Sequence, residues 1–275
     1  MPLPDSLPWM DSVDAKMARA NEHREALYAE SGVWFEGTKR NFILKTNGRE
    51  AWLVHYVEDS FPPIRLGVLL GECVFNMRSA MDNLVCGLVR TKDGYNAKCA
   101  HTQFPICATE ETWKKNWKKD LNGVEPAAQR MIRDLQPCFR MPSSTEDDPL
   151  SVLNVLCNSD KHRAITLTLA YSHDLTVRVH GKDGKVHEVR SLKPLYTGDV
   201  HTIPLDIDPA TIQPSARVET RGTEVLIIRE IGPWGDRPVW AVLGQLYEYV
   251  RDQVIIPFKP FFAPPLGVSK SDQER

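Results

Sequence analysis

The stretch that decides the fold is Gly71-Glu72-Cys73-Val74-Phe75-Asn76-Met77-Arg78-Ser79-Ala80-Met81-Asp82-Asn83-Leu84. At about 100° per residue, Glu72, Asn76, Ser79 and Asn83 share one narrow stripe, and Val74, Met77, Met81, Leu84, Val85 and Leu88 share the opposite side. Arg78 and Asp82 lie between the two, at the spacing that lets side chains pair along a helix. Phe75 and Cys86 flank the polar stripe, so it is not a plain solvent face. Pro62-Pro63 punctuates the chain just before, and the pattern predicts a central helix over about 64–90.

A second run repeats the design: Leu150-Ser151-Val152-Leu153-Asn154-Val155-Leu156-Cys157-Asn158-Ser159-Asp160-Lys161-His162-Arg163. Asn154, Asn158, Lys161 and His162 fall on one stripe, with Asp160 and Arg163 directed elsewhere. This predicts a second central helix over about 150–170. Two helices, each apolar on one side and amide-rich on the other, pack most economically stripe to stripe, because a buried amide or carboxylate left unsatisfied costs about 1–3 kcal/mol.

Outward from this pair, apolar residues at helical spacing predict a first amphipathic helix from Trp9 to about Tyr28. The run Phe42 to Val54 reads as a hairpin turning at Asn47-Gly48, with Lys45 opposite Glu50 and Ile43 opposite Trp52. Thr109 is placed to cap a short helix ending near Asp120, and Val124 to Leu135 reads as another. Arg140 to Pro149 is turn-rich and acidic and reads as an exposed loop. Beyond the second central helix the period switches to two: Leu175–Val179 and Val186–Val189 flank Asp183-Gly184, with further strands at Val200–Leu205, Ala216–Thr220 and Glu224–Ile231. Pro238 fits the first turn of a last helix reaching about Ile256.

The expected fold is therefore α+β: a helical bundle around the two central helices plus mainly antiparallel β hairpins. A single domain is expected over 1–262, with a helical core at 64–170 and 238–256 and a β-rich part at 174–231. Residues 263–275 read as a loose tail. No strand-helix alternation, phosphate loop or dinucleotide-binding Gly motif is present.

The 34 basic and 36 acidic residues give a net charge of −2, which removes any bulk electrostatic reason to expect nucleic acid or an anionic membrane. No stretch approaches the roughly 18 consecutive apolar residues of a spanning helix, and no secretory leader is recognisable, so the expected location is cytoplasmic. The six cysteines contain no Cys-x-x-Cys pair and are expected to be reduced. No cofactor is implied. Trp113-Lys114-Lys115-Asn116-Trp117-Lys118-Lys119 has the composition of an RNA-binding patch, yet Trp113 and Trp117 share one helical face and read as core anchors. His180 and His187 are expected to be cross-strand neighbours, without a third metal ligand near them in sequence.

Two readings of the polar centre stand side by side. In one, Glu72, Asn76, Asn83, Asn154, Asn158 and Lys161 form an interhelical network, with Glu72 neutralised by Lys161 or His162, that fixes register or binds a small ligand or protein partner. In the other, His162 is a general acid or base oriented by Glu72 or Asn158 and supported by Arg78.

At Asn76-x-Arg78-Ser79-Ala80-x-Asp82-Asn83-Leu84, Phe104-Pro105-Ile106, Leu135-Gln136-Pro137 and Asn158-x-Asp160-Lys161-His162-Arg163, the chain resembles a set of uncharacterised bacterial and phage proteins. These carry an Arg-Ser-Ala-Leu-Asp helix and an Asp-Lys-His-Arg motif. The resemblance spans roughly residues 64–170 and implies no activity. Its order of helices is also similar to HEPN domains, which implies a metal-independent RNase of toxin or defence systems with His162 as the catalytic residue. The HEPN pattern places an Arg shortly before the His. Here the run Leu156 to Lys161 contains none, and Arg78 is the candidate substitute.

Overall fold

The computed structural model describes residues 9–38, 40–46, 51–57, 61–93, 99, 102–171, 176–180, 185–190, 195–196, 203–205, 218–221, 224–229 and 231–262. The Asn47-Gly48 and Asp183-Gly184 turns, His101, His173, His201 and the tail 263–275 lie outside those residues. The chain is α+β, mostly helical with short antiparallel sheets, as the patterning predicts. It forms two compact units: Met1–Arg24 with Gly71–Lys161 and Leu243–Arg275, and Glu25–Leu70 with His162–Val242.

Helix α1 (Trp9–Gly37) runs well beyond Tyr28 and buries Val13, Met17, Ala20 and Leu27 at the predicted spacing. Helix α2 (Ile64–Asp93) buries Val74, Met77, Met81, Leu84 and Leu88. Helix α3 (Glu110–Asp120) begins as its sequence requires: extended Thr109 accepts the Thr112 N–H on its hydroxyl at 3.2 Å, Glu110 and Glu111 occupy the first turn, and Lys118 and Lys119 the last. Trp113 is buried, stacks on Trp117 at 6.3 Å and meets Phe139 edge-on, so the aromatic pair anchors α3 to the core. Helices α4 (Pro126–Asp134) and α5 (Pro137–Arg140) each start on a proline, where a missing N–H costs nothing.

The region read as an exposed loop, Arg140 to Pro149, holds a buried centre instead. Asp148 is fully buried; it accepts the Leu150 N–H at 2.8 Å to start helix α6 (Pro149–His162) and pairs with Arg140 at 2.9 Å. Helix α7 (Val239–Tyr249) continues as a π turn over Val250–Ile255 and a 3-10 segment over Ile256–Phe262. Pro257 and Pro260 have no N–H to extend an α ladder, and Phe258 is buried there.

Helix α6 stops at His162, eight residues short of its expected end at 170. Shortly after it comes Ile165-Thr166-Leu167-Thr168-Leu169, in which Ile165, Leu167 and Leu169 are buried and Thr166 is exposed. That alternation belongs to a strand, and β-branched residues favour it.

Among the described residues, the second unit contains three antiparallel three-stranded sheets. Strands β1 (Arg40–Thr46) and β2 (Ala51–Val57) pair with β7 (Ile203–Leu205) beside β2. Strand β3 (Thr168–Tyr171) lies between β6 (Leu195–Tyr196) and β9 (Glu224–Ile227). Strand β4 (Thr176–His180) lies between β5 (Val186–Arg190) and β8 (Val218–Arg221).

The register of β1 with β2 differs from the expected one. Lys45 is opposite Trp52 and Ile43 opposite Val54, and the ladder ends at the pair Thr46 and Ala51. The slip is of two residues, so each residue keeps its expected face. The second hairpin slips by one, and the consequence is larger. His180 pairs with Val186 and His187 with Val179, so the two histidines point to opposite faces and cannot share a metal.

The cysteines also depart from expectation. Cys86 and Cys99 are joined in a disulfide, while Cys73, Cys107, Cys138 and Cys157 are free and buried. Cys86 is half-buried and flanks the polar stripe of α2. Apolar neighbours in sequence place it in a core, but they do not reveal the distant Cys99 that meets it.

Candidate functional site

A cavity of about 280 Å³ opens in the first unit between α2, α6, α3 and the segment 103–107. Helix α2 contributes Phe75, Arg78, Ser79 and Asp82. Helix α6 contributes Asn154, Cys157, Asp160 and Lys161, and α3 contributes Asn116 and Asp120. The two central helices approach closely here: the Cys157 thiol donates to the Val74 carbonyl at 3.5 Å, which only a small side chain permits. At Gly71 a β-carbon would overlap the Asp160 carboxylate, so the absence of a side chain there makes room for an acid at the rim.

The fourth wall is held by main-chain bonds. The Phe104 N–H donates to Asp82 Oδ1 at 2.9 Å, and Arg78 Nη2 donates to the Phe104 carbonyl at 2.6 Å. Arg78 and Asp82, themselves paired at 3.3 Å, thus clamp both polar groups of one residue. Gln103 donates its Nε2 to Asp120 and its backbone N–H to the Asp120 carbonyl, each at 3.3 Å. At the far end, the Cys107 N–H donates to Oε1 of the fully buried Gln136 at 3.1 Å.

Burial pushes the Asp82 carboxyl above its ordinary value, against the opposing pull of Arg78 and the Phe104 N–H. Asp120 is raised by burial as well, and Asp160 by burial together with the nearby charge of Glu72. Two cations, Arg78 and Lys161, face three carboxyls, Asp82, Asp120 and Asp160, so the formal charges of the lining nearly balance. Ser79, Asn116, Asn154 and Asp160 have no hydrogen-bond or ion-pair partner among the described residues. Arg78 Nη1 is buried and likewise unpaired.

Of the residues singled out by sequence, Arg78, Ser79, Asn154 and Lys161 line this cavity. Glu72, Asn83 and Asn158 do not: Glu72 and Asn158 are exposed, and Asn83 is half-buried. Asn158 accepts from Lys161 Nζ at 3.4 Å. Asn76 is buried but faces α1, where Lys16 Nζ donates to its Oδ1 at 3.3 Å while its own amide donates to the Glu72 carbonyl at 2.8 Å. His162 is exposed at the end of α6. The packing of amide stripe on amide stripe is thus replaced by another pairing. On α2 the face turned to the cavity is about 80° round from the Glu72-Asn76-Asn83 stripe.

Sequence reasoning passed over Asp82, Gln103, Asn116, Asp120 and Asp160. One signal was present. The Arg78/Asp82 pair sits beside Phe75 rather than amid solvated residues, which marks a charged pair with something to hold. Among the described residues no group of three His, Cys, Asp or Glu is placed to hold a metal ion, and no helix is long and apolar enough to cross a membrane. Comparison with known proteins finds no matching family model, no matching curated protein and no matching solved structure.

Proposed function

We propose that this chain is a binding protein whose cavity between α2 and α6 takes a small polar molecule, uncharged or zwitterionic, bearing hydroxyl or amide groups. The observation that carries this reading is the set of Ser79, Asn116, Asn154 and Asp160, which converge on one cavity with no hydrogen-bond partner among the described residues. A hydroxyl, two carboxamides and a carboxylate offer donors and acceptors together, which suits groups that both give and accept hydrogen bonds. Near-electroneutral walls disfavour a phosphate or a bare cation. The volume of about 280 Å³ lies just below the roughly 300–1,000 Å³ of drug-sized sites, which favours a metabolite-sized ligand.

The test is thermal unfolding in the presence of hexoses, nucleosides and free amino acids, with wild type beside Asn154→Leu and His162→Ala. A true ligand at a hundredfold excess over its Kd raises the Tm by about 5 °C. Asn154→Leu abolishes that rise while the ligand-free Tm moves little, and His162→Ala leaves it intact. A rise that survives Asn154→Leu, or none across the panel, rejects the cavity as the site. RNA cleavage by wild type that vanishes in His162→Ala would favour the RNase alternative.

A further inference from the structure

Four of the six cysteines are sealed in the core. Burial pushes Cys73 and Cys157 up to about 12 and Cys107 up to about 11, and raises Cys138, so none of the four supplies thiolate near neutral pH. Cys86 and Cys99 differ in kind: both are half-buried and they are bonded to each other. Cys86 lies one helical turn beyond Asp82 on α2, on the side that faces the cavity wall. Cys99 stands immediately upstream of that wall. Its carbonyl accepts both the Thr102 N–H at 3.1 Å and the Thr102 hydroxyl at 2.8 Å. Gln103 and Phe104, bound to Asp120, Asp82 and Arg78, come directly after.

The wall therefore has two kinds of anchor on α2: hydrogen bonds at Arg78 and Asp82, and a covalent bond at Cys86. We propose that Cys86 and Cys99 form a reversible thiol–disulfide site that clamps the cavity wall to α2, so that a small dithiol reductant loosens the wall while leaving the fold intact. The exchange balances simply. One thiolate of the reductant attacks a cystine sulfur to give a mixed disulfide and release the other protein thiolate. The second thiolate of the reductant then closes its own cyclic disulfide, and two electrons and two protons end on the Cys86 and Cys99 thiols.

The test reads the bond and the wall directly, whether or not the cavity takes a ligand. Air-equilibrated full-length protein, unfolded and treated with iodoacetamide without reductant, should carry four labels, from six cysteines less the two in the disulfide. Folded protein exposed to dithiothreitol and then labelled before unfolding should gain its labels at Cys86 and Cys99 alone. Amide exchange at Phe104, measured by mass spectrometry, should speed up about tenfold on reduction, because the tether that limits local opening is gone. A Cys86→Ser/Cys99→Ser double variant should match the reduced wild type and ignore dithiothreitol. Should the double variant fail to fold, the reduced wild type decides alone. Six labels without reductant, labelling of the buried cysteines in folded protein, or unchanged Phe104 exchange on reduction each overturns the proposal.

Discussion

Two polar clusters in the first unit invite comparison, because both are built on an arginine and an aspartate. Around Asp148, every acceptor is used: Arg140 gives Nε at 3.1 Å and Nη2 at 2.9 Å to one oxygen, the Leu150 N–H occupies the other, and Arg140 Nη1 reaches the Tyr249 hydroxyl. The Arg140 guanidinium also lies over the Tyr249 ring at 4.8 Å. Around Arg78 and Asp82, the pair is spent on a backbone segment, Nη1 has no acceptor, and four neighbouring polar side chains have no partner among the described residues. The first cluster closes on itself and is architecture. The second stops short of closing, at the edge of a cavity, and the proposed binding role rests on that incompleteness.

Breaking the closed cluster should give the largest effect. Asp148→Ala removes the α6 cap and leaves Arg140 without its carboxylate, at a cost of about 3 kcal/mol, read as a lower urea midpoint with an unchanged m-value. An intermediate outcome belongs to Gly71→Ala. The added methyl must displace the Asp160 carboxylate, a mobile side-chain end, while helix propensity gains about 1 kcal/mol over glycine. Stability should therefore shift by less than about 1 kcal/mol in either direction, whereas any ligand-induced rise in Tm should shrink. A loss of stability as large as that of Asp148→Ala would show Asp160 to be structural.

The smallest effect is a change of slope. Asp120 holds its proton more tightly folded than unfolded, so in the window between its two pKa values the folded state binds more protons and stability falls as pH rises. Its contribution is fully present below the ordinary carboxyl value of 3.8 and is lost as pH climbs through the raised folded value. Asp120→Asn, which can still accept from Gln103, should flatten stability against pH in that window. An identical slope in wild type and variant would mean that Asp120 is no more buried in solution than in an unfolded chain.

The parts of this fold legible in sequence are those written locally. The course of α2, the Thr109 cap, the tryptophan face of α3 and the existence of the hairpins come from spacing and turn chemistry. What failed depended on partners remote in sequence. The strand after His162 needed β9 before its alternation outweighed helical periodicity, and the His180/His187 geometry turned on a one-residue slip. The cavity is half legible. Arg78, Ser79, Asn154 and Lys161 stand out in the sequence, but a helical wheel ranks stripes by polarity and does not show which neighbour each one meets. Lys16 claims the Asn76 stripe, and Phe104 claims the other.

The grip on Phe104 is made entirely through its amide and carbonyl, while its ring is sealed from solvent. Any amino acid but proline presents the same two groups, so a side-chain substitution at position 104 itself leaves this handhold in place. An ester in place of the peptide link before residue 104 deletes the donor to Asp82, leaves every side chain and the Phe104 carbonyl in place, and so reads this main-chain grip apart from the residues that make it.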